Sequence, residues 1–343
     1  MVNLSLNALS KPYRILIVGP SWVGDMVMAQ SLFMALKQRH ENCSIDVLAP
    51  EWSLAILERM PEVRKAIIMP FGHGKFNFKG RKALGKSLVN ERYDQSIVLP
   101  NSWKSALIPY FASIPKRTGY VGEVRWGLLN DSRHLDKKFL TKTVQRFVAL
   151  AAEPCAILPE IPQPRLLIDP ASVEVAKNSF NITEAEGKRL GLCPGAEYGP
   201  AKRWPEEHYA AVAKEAISKG WEVYLFGSGK DQVVAARINE LSGNKCRDFA
   251  GKTSLTEALD LMSLCDVVVS NDSGLMHVAA ALDIKTIALY GSSDPNFTPP
   301  LHSKAEIISL GLECSPCFKR QCPLQHLDCL TKITPDRVLA FLE

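Results

Sequence analysis

The sequence predicts an α/β protein built from two similar halves, and three patterns support this prediction. From Arg14 onward, short apolar runs rich in β-branched residues alternate with helical patterns. A proline-rich stretch interrupts this alternation, which begins again after it. Strands that alternate with helices are typical of parallel sheets covered by helices. A chain of 343 residues also exceeds the size at which a single core usually stops growing, so we expect two domains.

The first half shows the strand and helix alternation clearly. A helix is predicted over residues 26–39, where apolar residues recur at the spacing of one helical face. Further helical stretches separate the later strands, as expected for a parallel sheet. The strands are predicted at residues 14–18, 45–48, 66–69 and 95–99.

A change of composition marks the boundary between the halves. Five prolines fall between residues 154 and 170. Proline can neither continue a helix interior nor pair in a central strand, so we interpret this stretch as an interdomain connection. The prediction is an N-terminal domain at residues 1–155, a linker at 156–172 and a C-terminal domain at 173–343.

The second half repeats the alternation. Parallel sheets bind ligands beyond the carboxyl ends of their strands, so we expect the loop at residues 19–25 to face second-half loops across a cleft. The strands are predicted at residues 189–193, 221–226, 266–270 and 286–290, and the helices at 206–219, 231–241, 255–264 and 275–282.

Composition indicates a globular protein and excludes several classes. The net charge of +5 is too mild for a dedicated nucleic-acid binder, but it suits an acidic substrate or an anionic membrane surface. Residues Met1–Ser10 lack the basic and apolar regions of a secretion signal. No run approaches the roughly 20 apolar residues that cross a bilayer. We expect a cytoplasmic protein whose membrane contact, if it has one, is peripheral.

The most informative segment runs from residue 267 to residue 282. A β-branched run ends at a polar turn, which is followed by an apolar, alanine-rich helical pattern. Asp272 or Ser273 can cap this helix, and Gly274 lets a ligand approach the backbone. Free N–H groups and the helix dipole favour a phosphate there. An ordinary capped helix is the alternative, and His277 one turn later is at least as well explained as a core histidine.

Asp25 ends the loop that follows the first strand. The spacing of Gly19 and Gly24 matches neither a dinucleotide-binding loop nor a Walker loop, which would need lysine where Asp25 stands. A carboxylate in the first helical turn can simply complement the helix dipole. Alternatively, Asp25 is a general base that deprotonates an attacking hydroxyl.

A second basic and glycine-rich loop spans residues 195–205. Lys202 and Arg203 follow two glycines at the carboxyl end of a strand, which makes a plausible anion site, although such pairs are often only solvated. Two further turns follow strands, at residues 226–230 and 290–295. Each either contacts the base or ribose of a nucleotide or has no role beyond connecting a strand to a helix.

Four cysteines cluster near the C-terminus with the spacing C-x2-C-x4-C-x6-C over residues 314–329. Four close thiolates can hold a tetrahedral zinc ion. The spacing differs from standard zinc fingers and from common iron–sulfur motifs, so reduced or partly oxidised structural cysteines are the other interpretation. In either case the cluster is expected to be structural rather than catalytic. It comprises Cys314, Cys317, Cys322 and Cys329.

Three segments carry a family resemblance when they are taken in order. They read GPSWVGDM at residues 19–26, CPGAEYGPAKRWP at 193–205 and NDSGLMHVAA at 271–280, with LPNSWKSA at 99–106 between the first two. Together they resemble the lipopolysaccharide heptosyltransferases of glycosyltransferase family 9, from about Arg14 to the C-terminus. The resemblance implies a GT-B fold, with two Rossmann-like domains that bind the acceptor and the ADP-sugar respectively.

The resemblance also implies an activity and the residues that carry it. The activity is inverting, metal-independent transfer of L-glycero-D-manno-heptose from ADP-heptose to heptosyl-Kdo2-lipid A at the inner membrane face, without a cofactor. Asp25 corresponds to the general base, and Lys202 to the cation that neutralises the diphosphate. The other donor-binding positions are Gly195, Asp272, Ser273, Gly274, Leu275, Met276 and His277, and the acceptor-binding positions are Asn101, Lys104, Arg117 and Arg125.

Three alternatives remain open on the sequence. One is heptosyltransferase I, or a relative with another acceptor. Another is a nucleotide-sugar epimerase of the same architecture, which would turn over donor without an acceptor. The third is a nucleotide-binding regulator in which Asp25 only complements a helix. The absence of any Asp-x-Asp motif favours metal-free transfer over transferases that hold a divalent ion with carboxylates.

Overall fold

The computed structural model describes residues 11–72, 74–154, 156–184 and 186–342. The segment Met1–Ser10, in which no secretion signal is predicted, lies outside the described residues. Contacts between residues divide the chain into two compact units. Among the described residues, the first unit contains those up to Ser21 together with Ala29–Pro162, and the second contains Trp22–Met28 and those from Gln163 onward.

The first unit is a six-stranded, fully parallel sheet in the order β3-β2-β1-β4-β5-β6. All four residues of β4 are buried because helices cover both faces of such a sheet. The strands are β1 Tyr13–Val18, β2 Cys43–Ala49, β3 Val63–Ile68, β4 Gln95–Val98, β5 Lys116–Tyr120 and β6 Asp131–Arg133, and the helices are α1 Val23–Arg39, α2 Leu54–Leu57, α3 Phe78–Ser87, α4 Leu107–Phe111 and α5 Thr143–Val148.

The second unit repeats this architecture, with sheet order β12-β11-β10-β7-β8-β9 and parallel pairing throughout. Every residue of β7 and β10 is buried, so these strands form the centre of its core. The strands are β7 Arg189–Cys193, β8 Glu222–Leu225, β9 Arg247–Asp248, β10 Val267–Asn271, β11 Lys285–Tyr290 and β12 Ala305–Ser309, and the helices are α6 Pro170–Ser179, α7 Glu206–Ser218, α8 Gln232–Leu241, α9 Leu255–Met262, α10 Gly274–Ala281, α11 Asp328–Thr331 and α12 Pro335–Leu339.

Both sheets have the strand order of the Rossmann fold when strands are counted within their own unit. In that order, the chain leaves the sheet in opposite directions on either side of the first and fourth strands, which opens a crevice at their carboxyl ends. The crevice lies between β1 and β4 in the first unit and between β7 and β10 in the second. The predicted α/β class with two Rossmann-like halves is confirmed.

The predicted strands are confirmed, whereas β5, β6, β9 and β12 were not predicted. β5 contains lysine, arginine, threonine and glycine and so lacks an apolar run, while β6 and β9 have only three and two residues. β12 is an edge strand with a mixed pattern of exposure. Such segments are recruited by pairing with a neighbouring strand rather than by their own composition.

Helix α1 begins at Val23, three residues before its predicted start. This places Asp25 inside the first helical turn. The start of α1 lies in the segment Trp22–Met28, whose contacts place it in the second unit, whereas the rest of α1 belongs to the first unit. None of the helices in the described ranges is both long and apolar enough to span a membrane.

Candidate functional site

The crevice between β7 and β10 gathers most of the predicted donor-binding residues. The loop that follows β7 carries Gly195 and Lys202, and the turn that follows β10 leads into α10. Because β7 and β10 are hydrogen-bonded neighbours that run in parallel, both loops leave the sheet at the same edge. Residues far apart in sequence therefore meet there.

The N-terminus of α10 is open to an anion. Ser273 is the N-cap residue, but its side chain makes no capping hydrogen bond and instead lies 3.2 Å from the Oγ of Ser270. The N–H groups of the first turn consequently receive no acceptor from the cap. Free N–H groups and the positive end of the helix dipole together make a phosphate site.

Glycines let two helix starts approach each other closely at this point. A Cβ atom on Gly274 would lie 2.6 Å from the Cβ of Val23. A Cβ atom on Gly24 would lie 2.6 Å from the Cδ2 of His277. The first turn of α1 and the first turn of α10 are thus in contact within the second unit, and this contact brings Asp25 to the phosphate site.

Lys202 and Asp272 form an ion pair in this crevice. The Nζ of Lys202 donates to the Oδ2 of Asp272 over 2.5 Å, and both side chains are largely buried. The ammonium also lies 5.2 Å from the centre of the Tyr198 ring. Asp272 therefore fixes the position of a cation beside the N-terminus of α10, where a carboxylate alone would repel an anion.

The pKa of Asp25 is raised to about 6, chiefly because burial disfavours its charged form. The positive charge of Lys202 opposes this shift, and the negative charge of Asp272 adds to it. Asp25 is thus ionised at neutral pH but more basic than an ordinary aspartate. A carboxylate with these properties is well matched to general base catalysis.

His277 is buried and is neutral at physiological pH. Burial lowers its pKa to about 4, with Lys202 lowering it further and Asp272 opposing the shift. It supplies no charge for a phosphate. Its ring packs instead against the backbone at Gly24.

Asn271 holds the site together, and our sequence analysis did not assign it a role. Its Oδ1 accepts hydrogen bonds from the backbone N–H of Trp204 over 3.0 Å and from the hydroxyl of Tyr209 over 3.1 Å. Its Nδ2 donates to the carbonyl of Pro194 over 2.6 Å. Asn271 therefore ties the end of β10 to both ends of the loop that carries Lys202. The sequence feature that could have revealed this role is the position of Asn271, whose amide side chain comes at the end of a buried run of β-branched residues.

Gly195 and the turn after β11 complete this edge. A Cβ atom on Gly195 would lie 2.6 Å from the carboxylate of Asp231, so glycine is required there. Ser292 and Ser293, in the turn that follows β11, have buried hydroxyls without a hydrogen-bond partner in the described part of the chain. Unpartnered buried hydroxyls are rare and are suited to binding a polar ligand group.

Two predicted acceptor residues meet in the first unit. Arg125 is buried, and its guanidinium donates to the carbonyl of Pro100 over 2.9 Å, to the Oδ1 of Asn101 over 3.4 Å and to the carbonyl of Tyr120. Asn101 itself is exposed, in the loop that follows β4. The Arg125 side chain thus shapes the loop that presents Asn101.

The other two predicted acceptor residues have other partners in this unit. Arg117, on β5, donates to the carbonyl of Leu128 over 2.6 Å and to that of Ile114 over 2.7 Å. Its guanidinium also stacks over the ring of Tyr110. Lys104 is half-buried in a 3₁₀ turn at Trp103–Ala106, and its carbonyl accepts from Arg81. The roles of all four residues stay predictions.

The cysteine cluster borders the same edge of the second unit. Cys314, Cys317, Cys322 and Cys329 line one small cavity, and all four are free thiols. Within the described ranges, no three histidine, cysteine, aspartate or glutamate side chains are arranged to hold a metal ion.

Comparisons with known proteins agree with one another on the family that this chain resembles. Residues 81–328 match the model of a family described as glycosyltransferase family 9 (heptosyltransferase). Lipopolysaccharide heptosyltransferase 2 of Salmonella typhimurium is 48% identical, over 95% of this chain and 96% of its own length. Lipooligosaccharide heptosyltransferase 2 of Haemophilus influenzae is 53% identical, over 87% of this chain and 88% of its own. The solved structure of E. coli ADP-heptose LPS heptosyltransferase II has a TM-score of 0.86 at 45% identity, covering 96% of this chain and 97% of that one.

Proposed function

Because the chain belongs to glycosyltransferase family 9, the heptosyltransferases, we propose that it transfers heptose from ADP-heptose to the first heptose of the lipopolysaccharide inner core. The sugar is L-glycero-D-manno-heptose and the acceptor is heptosyl-Kdo2-lipid A. One observation carries this proposal. A basic carboxylate, Asp25, lies beside the Lys202–Asp272 ion pair and the uncapped start of α10.

The reaction needs one base and a stabilised leaving group. Asp25 accepts the proton of the acceptor hydroxyl as that oxygen attacks the anomeric carbon of the donor. The bond from that carbon to the diphosphate breaks, and ADP leaves with the bonding electron pair. Attack from the face opposite the diphosphate inverts the anomeric configuration, and no covalent intermediate forms.

The departing diphosphate gains negative charge, and the chain offers two means of stabilising it. One is the ammonium of Lys202, held in place by Asp272. The other is the set of N–H groups at the start of α10. Fixed groups of this kind favour the transition state because they need no reorganisation as the charge develops. They perform the task that a divalent ion performs in many transferases, so we propose a metal-independent reaction.

The decisive experiment follows ADP release from ADP-heptose with a panel of truncated core acceptors in the presence of a chelator. We expect release with heptosyl-Kdo2-lipid A and little with Kdo2-lipid A. Preference for the acceptor that lacks heptose would indicate the heptosyltransferase I reaction. Donor turnover without any acceptor would indicate an epimerase or hydrolase, and a requirement for added metal would contradict the metal-free step.

The pH dependence of kcat/KM should follow the ionisation of Asp25. A general base must be unprotonated, so the rate should fall as the pH drops through about 6, the pKa to which burial raises Asp25. His277 titrates near 4 and does not contribute in this range. Initial rates of ADP release between about pH 5 and pH 9 test this expectation. A flat profile across pH 6 would contradict the assignment of Asp25.

We further propose that the enzyme works at the cytoplasmic face of the inner membrane, where a lipid-linked acceptor resides. The support is a surface of the first unit formed by α3, α4 and the loop before α3. Phe76, Phe78 and Tyr110 are 48%, 40% and 44% exposed there, although aromatic side chains usually avoid water. We call this surface the basic aromatic face; it comprises Lys75, Phe76, Phe78, Lys79, Lys82, Lys86 and Tyr110.

The charge of the basic aromatic face suits an anionic bilayer. Residues 70–90 and 99–122 contain no aspartate or glutamate, whereas the face presents four exposed lysines. The rings contact one another, and the Nζ of Lys82 lies 5.7 Å from the centre of the Phe111 ring. Exposed aromatics flanked by lysines are typical of surfaces that rest in the lipid headgroup region.

Reversing two charges should weaken binding to lipid vesicles. The double substitution Lys79→Glu and Lys82→Glu should lower the affinity for phosphatidylglycerol-containing vesicles roughly tenfold or more, because each basic residue contributes about 1 kcal/mol near such a surface. The matched control reverses Lys214 and Lys245, exposed lysines of the second unit. Co-sedimentation without acceptor measures this. Equal losses in both variants would show only an effect of net charge and would contradict the proposed face.

A further inference from the structure

Residues 315–320 connect two loops at the edge of the second sheet where α10 begins. The N–H of Phe318 donates to the carbonyl of Ser292, in the turn after β11, over 2.7 Å. The carbonyl of Phe318 accepts from the hydroxyl of Tyr198, in the loop after β7, over 2.7 Å. Because β10 lies between β7 and β11 in the sheet, these residues pass close to the point where β10 leads into α10. We call residues 315–320 the bridging segment.

The bridging segment is also fixed to the loop that carries Lys202. The carbonyl of Arg320 accepts from the N–H of Ala201 over 3.1 Å. A Cβ atom on Gly199 would lie 2.6 Å from the same carbonyl oxygen, so the close approach of the two backbones requires glycine. Both contacts involve the backbone of Arg320. They leave its side chain, which is exposed, available to a ligand.

The side chains of Arg320 and Lys202 meet at the ring of Tyr198. The Cζ of Arg320 lies 5.4 Å from the centre of this ring, and the Nζ of Lys202 lies 5.2 Å from it. The ammonium of Lys202 in turn pairs with Asp272, next to the start of α10. A guanidinium that packs over an aromatic ring keeps the N–H groups at its edge free for hydrogen bonds in its own plane. The Tyr198 ring therefore holds a second cation close to the phosphate site.

The positive charge around this ring exceeds the negative charge near it. Among the carboxylates of the described ranges, none forms an ion pair with Arg320, and Asp272 alone pairs with Lys202. Two cations beside one ring repel each other, and an anion bound by both would replace this repulsion with attraction. A planar guanidinium can donate two parallel hydrogen bonds to one phosphate, and an ammonium binds a phosphate as a point charge. The two side chains thus match a ligand with two adjacent phosphates.

We propose that Arg320 binds the diphosphate of the ADP-sugar donor together with Lys202. This inference rests on the proposed function, which supplies the diphosphate. The guanidinium donates to phosphate oxygens that Lys202 and the start of α10 leave unpaired. ADP keeps both phosphates after transfer, so Arg320 should contribute to the affinity for ADP and for ADP-heptose alike. The part of the chain that contains the cysteine cluster then contributes to donor binding and not to the fold alone.

Calorimetric titration of the full-length protein with ADP, without acceptor, tests this assignment. Arg320→Met should weaken ADP binding about tenfold, the effect expected for one partly exposed hydrogen bond between charged groups. Arg320→Lys should retain most of the affinity because it keeps the positive charge. The matched control is Lys319→Met, which removes the neighbouring exposed cation of the bridging segment and should leave ADP affinity unchanged.

A second titration, with inorganic pyrophosphate, separates this inference from the proposed function. Arg320→Met should weaken pyrophosphate binding severalfold as well. If the unsubstituted protein binds ADP and Arg320→Met binds it equally well, the inference is wrong and the proposed function stands. If the unsubstituted protein does not bind ADP, the proposed function fails, while weaker pyrophosphate binding by Arg320→Met would still support an anion site at Arg320.

Two further outcomes would overturn the role of Arg320. A loss of ADP affinity in Lys319→Met as large as that in Arg320→Met would reduce the effect to net charge. An equal loss in Arg320→Lys would reduce it to packing against Tyr198. Thermal unfolding without ligand shows whether each variant is folded, and Arg320→Gln replaces Arg320→Met if the methionine variant is not.

Discussion

Replacing Asp25 with asparagine should lower the turnover number by about 10²–10⁴ while leaving the affinity for ADP-heptose nearly unchanged. Asparagine has the same shape but cannot accept a proton, so the acceptor hydroxyl would attack without a base. Single-turnover rates and donor binding measured by calorimetry separate the two quantities. Turnover equal to that of the unsubstituted enzyme would show that Asp25 only complements the helix dipole.

The stability of the same variant provides an internal control. Burial raises the pKa of Asp25 from 3.8 to about 6 in the folded protein. Because the pKa is raised, the folded protein favours the protonated, neutral form of Asp25. The free energy of unfolding is therefore highest below about pH 4 and falls as the pH rises through about 6. At pH 8, Asp25→Asn should therefore raise the free energy of unfolding by up to about 3 kcal/mol, and this gain should vanish near pH 4. A variant less stable at pH 8 would point to a structural role instead.

Replacing Lys202 with methionine should weaken ADP binding by about 10- to 100-fold, because a hydrogen bond to a charged group contributes about 1.5–3 kcal/mol. Asp272 would also remain buried without its cation and would repel the diphosphate. The affinity of the variant for ADP should depend less on salt concentration than that of the unsubstituted enzyme, because salt screens the attraction between Lys202 and the diphosphate and the variant lacks that attraction. Calorimetric titration with ADP at two salt concentrations measures both effects.

Two controls make the Lys202 result interpretable. The first control is Lys219→Met. Lys219 is exposed, follows the last residue of α7 and pairs with Glu215, so its loss should leave the affinity for ADP unchanged. Lys202→Met leaves the buried carboxylate of Asp272 unpaired and should lower the free energy of unfolding. The double variant Lys202→Met with Asp272→Asn removes that carboxylate and should therefore be more stable than Lys202→Met. It should not recover full ADP affinity. Normal ADP binding by Lys202→Met would exclude this lysine from the phosphate site.

Much of the fold could be predicted because central parallel strands are short, apolar and β-branched. β1 and β10 have this pattern, and β7 is apolar without a β-branched residue; all three were predicted within one residue of their observed bounds. β5 and β9 lack this pattern. They become strands because they pair with β4 and β8, and their own side chains do not favour a strand. Propensity is therefore informative at the centre of each sheet and weak at its edges.

The loops of the donor site could be predicted from the sequence for a geometrical reason. Glycine-rich and charged residues that follow parallel strands must meet at one edge of the sheet, wherever they lie along the chain. Local sequence patterns were therefore enough to predict that Lys202 and the turn at Asp272 lie at the same edge of the sheet. Nothing local, however, indicates that these two residues, 70 positions apart, pair with each other.

The properties that make the site reactive depend on packing between distant segments. The pKa of Asp25 is raised because residues Trp22–Met28 pack into the second unit, and the linear pattern of α1 carries no sign of this. The resemblance gives Arg125 as an acceptor-binding position, and nothing in the sequence indicates that it is buried and bonded to backbone carbonyls. Local composition specifies which segments become strands, helices and loops, because these choices depend on neighbouring residues. Charge state and partner choice depend on solvent exclusion and distance, which exist only once the chain has folded.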